Sequence, residues 1–191
     1  FGYLRGALGE KFHSRLQMRQ PGTSLGIKLR ADNDFYSQLA RFKEMGLEPT
    51  PQNVHKLEPF LCPIDKSSGS NTVNKTGMGS SAALVTSVVG GLLQFFGVVS
   101  LPSTSEASKE ETNYSDRLRI SHNLAQICHC YSQGKVGSGF DVSSAVYGSH
   151  VYTRFSKDII NSLLEDVDKL NAGESESLQL SDSLSKQLLD L

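Results

Sequence analysis

The sequence predicts a domain that combines α-helices with β-strands. Residues 118–132 carry apolar side chains on one side of a helix, and residues 81–96 are apolar on most faces, so both segments are predicted to be helical. Apolar and polar residues alternate over residues 25–30 and 150–155, which is typical of strands. With 191 residues, the chain is long enough to bury a sizeable core, as one domain or as two small ones.

The first half of the chain begins with the predicted strand over residues 25–30. Asp32, Asn33 and Asp34 then offer side chains that favour the start of a helix. Residues 35–45 are predicted to be that helix, because their apolar side chains recur at a spacing of three and four, and Gly46 is expected to end it. Four prolines and a Ser/Gly/Asn run make residues 49–74 a long irregular connection.

The second half is predicted to be mainly helical. The helix over residues 81–96 is expected to be central and covered on several sides, with Gly97 ending it. Residues 103–116 are polar and expected to be exposed. The remaining predicted elements are a helix over 118–132, a short helix over 141–147, a strand over 150–155 with Val151, Thr153 and Phe155 on one face, a helix over 163–170 and a loose end over 173–191.

Charge and composition limit the classes of partner. The formal net charge is −1, so no overall field favours nucleic acid or an acidic membrane. Residues 157–191 carry a net charge of −5 and residues 1–156 a net charge of +4. A mildly basic body suits an anionic small ligand, although ordinary scatter explains it equally well. Nothing in the sequence specifies an oligomeric state.

Cysteine content and hydropathy bear on the compartment. Cys62, Cys128 and Cys130 do not form the framework of a disulfide-rich domain and suggest a reducing compartment, and no secretory signal is visible. Residues 79–99 lack charge, but their serines, threonine, glutamine and two central glycines favour a buried helix over a membrane span. We therefore expect a protein that is not in a membrane.

A glycine-rich segment precedes the predicted central helix and reads Lys75-Thr76-Gly77-Met78-Gly79-Ser80-Ser81-Ala82-Ala83. Glycines at alternate positions let the backbone turn tightly, and a helix start presents unpaired N–H groups that attract a polyphosphate. Either serine can donate a hydroxyl to phosphate, and one can ligate Mg²⁺. A simple turn with an ordinary serine N-cap also fits. The segment matches neither the Walker A loop nor the dinucleotide fingerprint.

Taken whole, this segment resembles the second motif of the GHMP kinases, a Gly-Leu-Gly-Ser-Ser-Ala-Ala loop that opens a helix, with Met78 at the leucine position. Residues 29–38, 122–126 and 134–149 are similar to the branch of that family that phosphorylates 5-phosphomevalonate in eukaryotes. The resemblance covers about residues 26–155. Another GHMP kinase, such as a mevalonate kinase, is the alternative.

The resemblance implies an α+β GHMP kinase fold, whose N-terminal half is similar to ribosomal protein S5 and packs helices on a mixed sheet. Residues 1–156 are then a partial N-terminal, ATP-binding domain, and residues 157–191 an acidic Leu/Ser-rich tail or the start of the C-terminal domain. The implied compartment is the cytoplasm, with the peroxisome as the alternative. An N-terminal strand motif and a closing glycine-rich motif are not visible, and the chain begins with Phe1, so we expect a piece of a longer protein.

The implied reaction uses ATP and Mg²⁺ to convert 5-phosphomevalonate into 5-diphosphomevalonate, a step toward isoprenoids. Residues 75–83 then bind the nucleotide, and Ser81 is assigned both to the metal and to catalysis. By resemblance, Asp141 lies near the accepting oxygen, and Asp141 and Lys135 are also assigned to catalysis. Whether the chain acts alone is left open; a non-catalytic nucleotide-binding piece is the alternative.

Residues around Asp141 are assigned to the acceptor substrate. Lys135 could hold a phosphate as a point charge, Gly137 and Gly139 could expose backbone donors, and Ser138 adds a hydroxyl. Other roles stay open: Asp141 could cap a helix that starts at Val142, Lys135 could be a solvated charge at a helix end, and Ser143 and Ser144 fit packing or capping better than binding.

Histidines and cysteines cluster over residues 122–130 and raise the question of a metal site. The spacing of His122, Cys128, His129 and Cys130 does not match the separated ligand pairs of structural zinc sites, and we expect no metal there.

Overall fold

The computed structural model describes residues 25–62, 73–101 and 111–172. The helices of these residues are, in chain order, α1 (Leu39–Glu44), α2 (Pro51–Val54), α3 (Ser80–Phe95), α4 (Glu111–Gln133), α5 (Phe140–Tyr147) and α6 (Lys157–Ala172). A 3₁₀ turn over Asn33–Phe35 precedes them. The described residues fall into two compact units, one formed by residues 26–80 and the other by Leu25 together with the residues described from Ser81 onward.

The first unit is held together by backbone contacts between two short segments. Tyr36 forms an isolated antiparallel bridge with Lys75, and the N–H of Thr76 donates to the carbonyl of Phe35 at 3.2 Å. Asp32 caps the 3₁₀ turn, since its carboxylate accepts from the N–H of Asp34 at 3.0 Å. The polar residues predicted to start a helix therefore start only a single 3₁₀ turn.

The second unit has two apolar clusters that share helix α4. One cluster joins α3, α4 and α5 through buried residues that include Leu93, Ala125 and Val142. The other packs α6 against α4 through Ile160 and Cys130, among others. Because α4 contributes to both clusters, helices α3, α5 and α6 all pack against it.

Glycines in the left-handed conformation end three of the helices. Gly97, which follows α3, has φ +66°. The N–H groups of Gly97 and Val98 donate to the carbonyls of Gln94 and Leu93, each at 2.9 Å. This is the Schellman arrangement, which satisfies the last carbonyls of a helix. The same pair of hydrogen bonds follows α1 at Gly46 and α4 at Gly134, so the predicted helix stops at Gly46 and Gly97 are confirmed.

The predicted helices over residues 81–96 and 141–147 are confirmed within one residue as α3 and α5. Two others are longer than predicted, because α4 begins at Glu111 and α6 begins at Lys157. The predicted helix over residues 35–45 is shorter in the structure, where only Leu39–Glu44 is α-helical. Residues 49–74 are irregular where described, apart from the turn-length helix α2.

Neither predicted strand is present. Residues 25–30 are irregular, and Ile27 and Leu29 are each 54% exposed, because no described segment pairs with them. In residues 150–155, Val151 is 97% exposed while Tyr152 turns inward, so the predicted common face of Val151, Thr153 and Phe155 is wrong. The described residues contain no strand, and the mixed sheet expected from the resemblance is not seen in them.

The described helices include none that combines the length and apolar character required to cross a bilayer. The predicted loose end over residues 173–191, and part of the irregular connection at residues 63–72, lie outside the described residues. The proposed domain boundary at residue 156 stays a prediction.

Candidate functional site

The glycine-rich loop of residues 75–79 is fixed on one side by Thr76. The hydroxyl of Thr76 donates to the carbonyl of Asp34 at 2.7 Å. Gly77 and Gly79 follow with φ +87° and +73°, a region that L-residues rarely adopt. Nothing lies within 4 Å of a Cβ placed on Gly77, so backbone conformation rather than space requires glycine there. The side chains of Lys75 and Met78 are exposed.

The two serines at the start of α3, Ser80 and Ser81, differ in burial. Ser80 is 5% exposed and Ala82 is fully buried, whereas Ser81 and Ala83 are partly exposed. Ser81 is therefore the serine whose hydroxyl is better able to meet a ligand. Within the helical unit, the hydroxyl oxygen of Ser81 lies 3.4 Å from Nε2 of His129 on α4.

The contact between Ser81 and His129 was not predicted from the sequence. The two residues are 48 positions apart in the sequence. No spacing rule links them, because the contact depends on how α3 packs against α4. If the serine donates its proton to the imidazole, its oxygen lone pairs stay available to ligate a cation; if it accepts from the ring N–H, its own proton stays available for a phosphate oxygen.

The second predicted segment forms the turn between α4 and α5. Lys135 and Gly137 are exposed, and Ser138 is partly exposed. Helix α5 begins at Phe140, two residues earlier than the capping alternative assumed. Asp141 lies in its first turn, and its Oδ1 accepts from the N–H of Val142 at 3.0 Å. Asp141 thus satisfies a helix N–H, and it shares no hydrogen bond with Ser81.

Gly139 is buried, unlike Gly137. It has φ +85°, and a Cβ at this position would lie 2.7 Å from the hydroxyl of Tyr152 and 2.9 Å from Oε1 of Gln126, with the ring of Phe155 closer still. Close packing therefore accounts for glycine at this position. The predicted role of Gly139, to let a backbone donor reach the acceptor, stays a prediction.

Ser143 lies on the buried face of α5 and contacts His150. Its hydroxyl is 2.6 Å from Nε2 of His150, and Nδ1 of the same ring is 2.7 Å from the carbonyl of Gly148. Ser143 is 3% exposed, which agrees with the packing role preferred for it. Ser144 is exposed.

His122 is a half-buried ring beside the same helix. Its centroid lies 5.3 Å from that of Tyr147, and Nδ1 is 2.9 Å from Oδ1 of Asn123. Burial is the main cause that lowers the pKa of His122; the Asn123 hydrogen bond raises it, and the nearby His150 lowers it further. His122 is accordingly held in its neutral form.

An open groove of about 360 Å³ lies beside α3 in the helical unit. Of the residues assigned to the nucleotide, only Ala83 lines it. The other lining residues are mostly small or apolar and include Thr86, Gly90, Gly91, Leu101 and Ala145.

Across the described ranges, no three His, Cys, Asp or Glu side chains come close enough together to hold a metal ion. A divalent cation at Ser81 would therefore draw most of its ligands from a bound nucleotide and water, which is how Mg²⁺ is usually held.

The N-terminal domain profile of the GHMP kinases matches residues 52–149, which include the start of α3, the turn before α5 and α5 itself. The chain belongs to the GHMP kinases. This agrees with the resemblance carried by residues 77–83 and 134–149.

Several relatives of this GHMP kinase chain carry the name phosphomevalonate kinase. The peroxisomal phosphomevalonate kinase of Arabidopsis thaliana is 44% identical over 143 residues, which are 72% of this chain and 28% of the relative. The enzyme of Aspergillus fumigatus is 41% identical over 140 residues, 73% of this chain and 25% of the relative. The enzyme of Gibberella zeae is 39% identical over 154 residues, which are 79% of this chain and 30% of the relative.

This GHMP kinase chain thus spans between 25% and 30% of the length of these relatives. No solved structure is significantly similar to it.

Proposed function

We propose that this chain is the nucleotide-binding part of a kinase that transfers the γ-phosphoryl group of ATP to 5-phosphomevalonate. The transfer forms a bond between an oxygen of the acceptor phosphate and the γ-phosphorus and breaks the bond from that phosphorus to the β-phosphate oxygen. The products are ADP and 5-diphosphomevalonate. The observation that carries the proposal is the similarity of this chain to three phosphomevalonate kinases over about three quarters of its length.

The polyphosphate of ATP is assigned to residues 75–83. Two glycines in left-handed conformation lead the chain into α3, whose first N–H groups have no partner within the helix. Such groups, with the positive end of the helix dipole, attract anions. The exposed side chain of Lys75 can add a positive charge near the loop.

Mg²⁺ fits the donor set at the helix start. Ser81 would offer one hydroxyl oxygen, and phosphate and water oxygens would supply the remaining ligands that this hard cation prefers. When bound, Mg²⁺ neutralises charge on the transferred phosphoryl group. Nε2 of His129 lies 3.4 Å from the same hydroxyl oxygen.

Acceptor binding is assigned to the turn that precedes α5. Gly137 and Ser138 offer backbone N–H groups and a hydroxyl, and Lys135 a mobile positive charge. Gly139 gives the turn its shape. The acceptor is a phosphate that is already largely ionised at neutral pH, so Asp141 is given the role of orienting it and balancing charge rather than removing a proton.

The compartment is proposed from composition and from one relative. A reducing compartment suits three free cysteines. The Arabidopsis relative is named as peroxisomal, so the proposal is the cytoplasm or the peroxisome.

The test is to supply the 191-residue chain with Mg-ATP and 5-phosphomevalonate and to measure ADP release together with nucleotide affinity by calorimetry. Turnover with 5-phosphomevalonate and none with mevalonate or galactose supports the proposal. Turnover with mevalonate or galactose instead overturns the substrate. Nucleotide binding without turnover identifies a non-catalytic piece of the enzyme, and the absence of nucleotide binding overturns the nucleotide site as well.

A further inference from the structure

The structure assigns to Tyr152 the role of a positioning residue for the acceptor-binding turn between α4 and α5. This inference rests on the proposed function, because it concerns how that site is held. Tyr152 lies in the segment that was wrongly predicted to be a strand, and no role for it follows from the family motifs quoted above.

The direct contact is a hydrogen bond to the turn. The hydroxyl of Tyr152 donates to the carbonyl of Ser138 at 2.6 Å, across 14 residues of chain. A carbonyl and the following N–H belong to one rigid peptide plane, so fixing the Ser138 carbonyl fixes the orientation of the Ser138–Gly139 peptide. The backbone on either side of that peptide then has fewer conformations available.

Tyr152 also forms part of the surface on which Gly139 rests. Its hydroxyl lies 2.7 Å from the position that a Cβ of Gly139 would occupy, and Oε1 of Gln126 lies 2.9 Å from that position. Gln126 is 2% exposed and projects from α4. The turn is thus packed against two side chains that belong to different parts of the helical unit.

The fixed turn leads directly into the residue assigned to the acceptor. Gly139 is the N-cap residue of α5, and Asp141 lies in the first turn of that helix. Burial is the main cause that raises the pKa of Tyr152; Arg154 lowers it, and the Asp141 carboxylate raises it. The tyrosine therefore stays a protonated donor at neutral pH, and its hydroxyl is within electrostatic reach of Asp141.

Phosphoryl transfer depends mainly on positioning and charge stabilisation, and small displacements of a positioned group cost rate. A turn that loses its anchor is expected to hold the acceptor less well and to place Asp141 less accurately. ATP, assigned to residues 75–83, is expected to be held as before.

The experiment compares Tyr152→Phe with Tyr147→Phe as a matched control. Each variant loses one phenolic hydroxyl; the ring of Tyr147 packs against His122, and the Tyr147 hydroxyl is given no role in the site. Steady-state kinetics are measured for both substrates, and backbone hydrogen exchange is followed at residues 137–142. For Tyr152→Phe, loss of one hydrogen bond predicts a fall of about tenfold in kcat/KM for 5-phosphomevalonate, an unchanged KM for ATP and faster exchange at these residues.

Two results overturn the inference. One is exchange at residues 137–142 that is the same in Tyr152→Phe as in the wild type. The other is a loss of activity that Tyr147→Phe shares or that raises the KM of ATP equally, since either indicates a general structural effect. If the wild type binds nucleotide but transfers no phosphoryl group, the chain is a non-catalytic piece of the enzyme, and the exchange comparison alone decides whether Tyr152 anchors the turn. If it binds no nucleotide either, the proposed nucleotide site fails, and the exchange comparison still decides the role of Tyr152.

Discussion

The hydroxyl of Ser143 lies 2.6 Å from Nε2 of His150 and connects α5 to the irregular segment that follows it. The other ring nitrogen is 2.7 Å from the carbonyl of Gly148, which can only accept. Nδ1 is therefore the donor, and in the neutral ring Nε2 accepts from the serine. One buried hydroxyl thus fixes the exit of the helix whose first turn carries Asp141.

Replacing Ser143 with alanine is expected to lower the free energy of unfolding by about 1 kcal/mol, because one hydrogen bond of a buried hydroxyl is lost. Ser144→Ala on the exposed face of α5 is the matched control. Both changes gain the same helix propensity, so the difference between them in urea denaturation reports the hydrogen bond. Equal stabilities would show that the contact with His150 contributes nothing.

Gly139→Ala is expected to destabilise the helical unit by about 2–4 kcal/mol, because a Cβ there meets Tyr152 and Gln126 and the backbone is left-handed. Gly137→Ala is the control, since nothing lies within 4 Å of its Cβ and its φ is not positive. The expected change for that variant is within about 1 kcal/mol. Comparable destabilisation of both proteins in chemical denaturation would contradict the packing described for Gly139.

Stability is expected to fall as the pH drops below about 6.5, because burial lowers the pKa of His122 from its ordinary value of 6.5. In the unfolded chain this histidine takes up a proton at a higher pH than in the folded one. The free energy of unfolding therefore rises with pH between the folded and unfolded pKa values and is level above them, with a slope of at most about 1.4 kcal/mol per pH unit for one proton.

The check is the melting temperature between pH 5 and pH 8 for His122→Gln, with His55→Gln as a control at an exposed histidine. Compared with the wild type, the melting temperature is expected to depend less on pH in His122→Gln and to an unchanged extent in His55→Gln. The same slope in His122→Gln as in the wild type would show that another group is responsible.

Ser81→Ala is expected to reduce turnover by about tenfold to a hundredfold, because one oxygen that meets phosphate or Mg²⁺ is lost while the fold is kept. Ser87→Ala is the control, since that exposed hydroxyl donates only to the carbonyl of Ala83 one turn earlier in α3. Both variants should melt at similar temperatures. Full activity in Ser81→Ala would remove this residue from the proposed site.

Asp141→Asn is expected to abolish most activity, by about a hundredfold or more, because the charge that orients the acceptor is lost. The fold should persist, since the asparagine carbonyl can still accept from the N–H of Val142 at the 3.0 Å now taken by the carboxylate. Turnover and thermal unfolding measured together separate the two effects. A drop in melting temperature that matches the loss of rate would instead indicate that capping is the main role of Asp141.

Local signals predicted the helices well and the strands poorly. Residues 80–95 have enough apolar character to define α3 without any partner, and Gly97 has the conformation that ends a helix. Helices α4 and α6 were predicted too short, because the residues after Glu111 and Lys157 at their starts are mostly polar and do not show the apolar spacing of a helix. Alternation at residues 25–30 failed because a strand needs a pairing partner, which a single segment does not encode.

From the sequence, only runs of consecutive residues could be assigned to the candidate site, and that assignment stays a prediction. Residues 75–83 and 134–141 could be identified from glycine and serine spacing and from resemblance. The contacts of Ser81 with His129 and of Ser138 with Tyr152 join residues 48 and 14 positions apart, and they arise only when the helices pack.

Gly90 and Gly91 lie within α3, where each lacks the positive φ that would require glycine. A methyl group on Gly91 would touch nothing within 4 Å, and one on Gly90 would meet only Cδ1 of Leu101 at 3.5 Å. Alanine favours a helix interior over glycine by about 1 kcal/mol per residue. The variant with alanine at both positions should therefore have a higher melting temperature than the wild type. These two positions are thus a starting point for a stabilised variant suited to crystallisation.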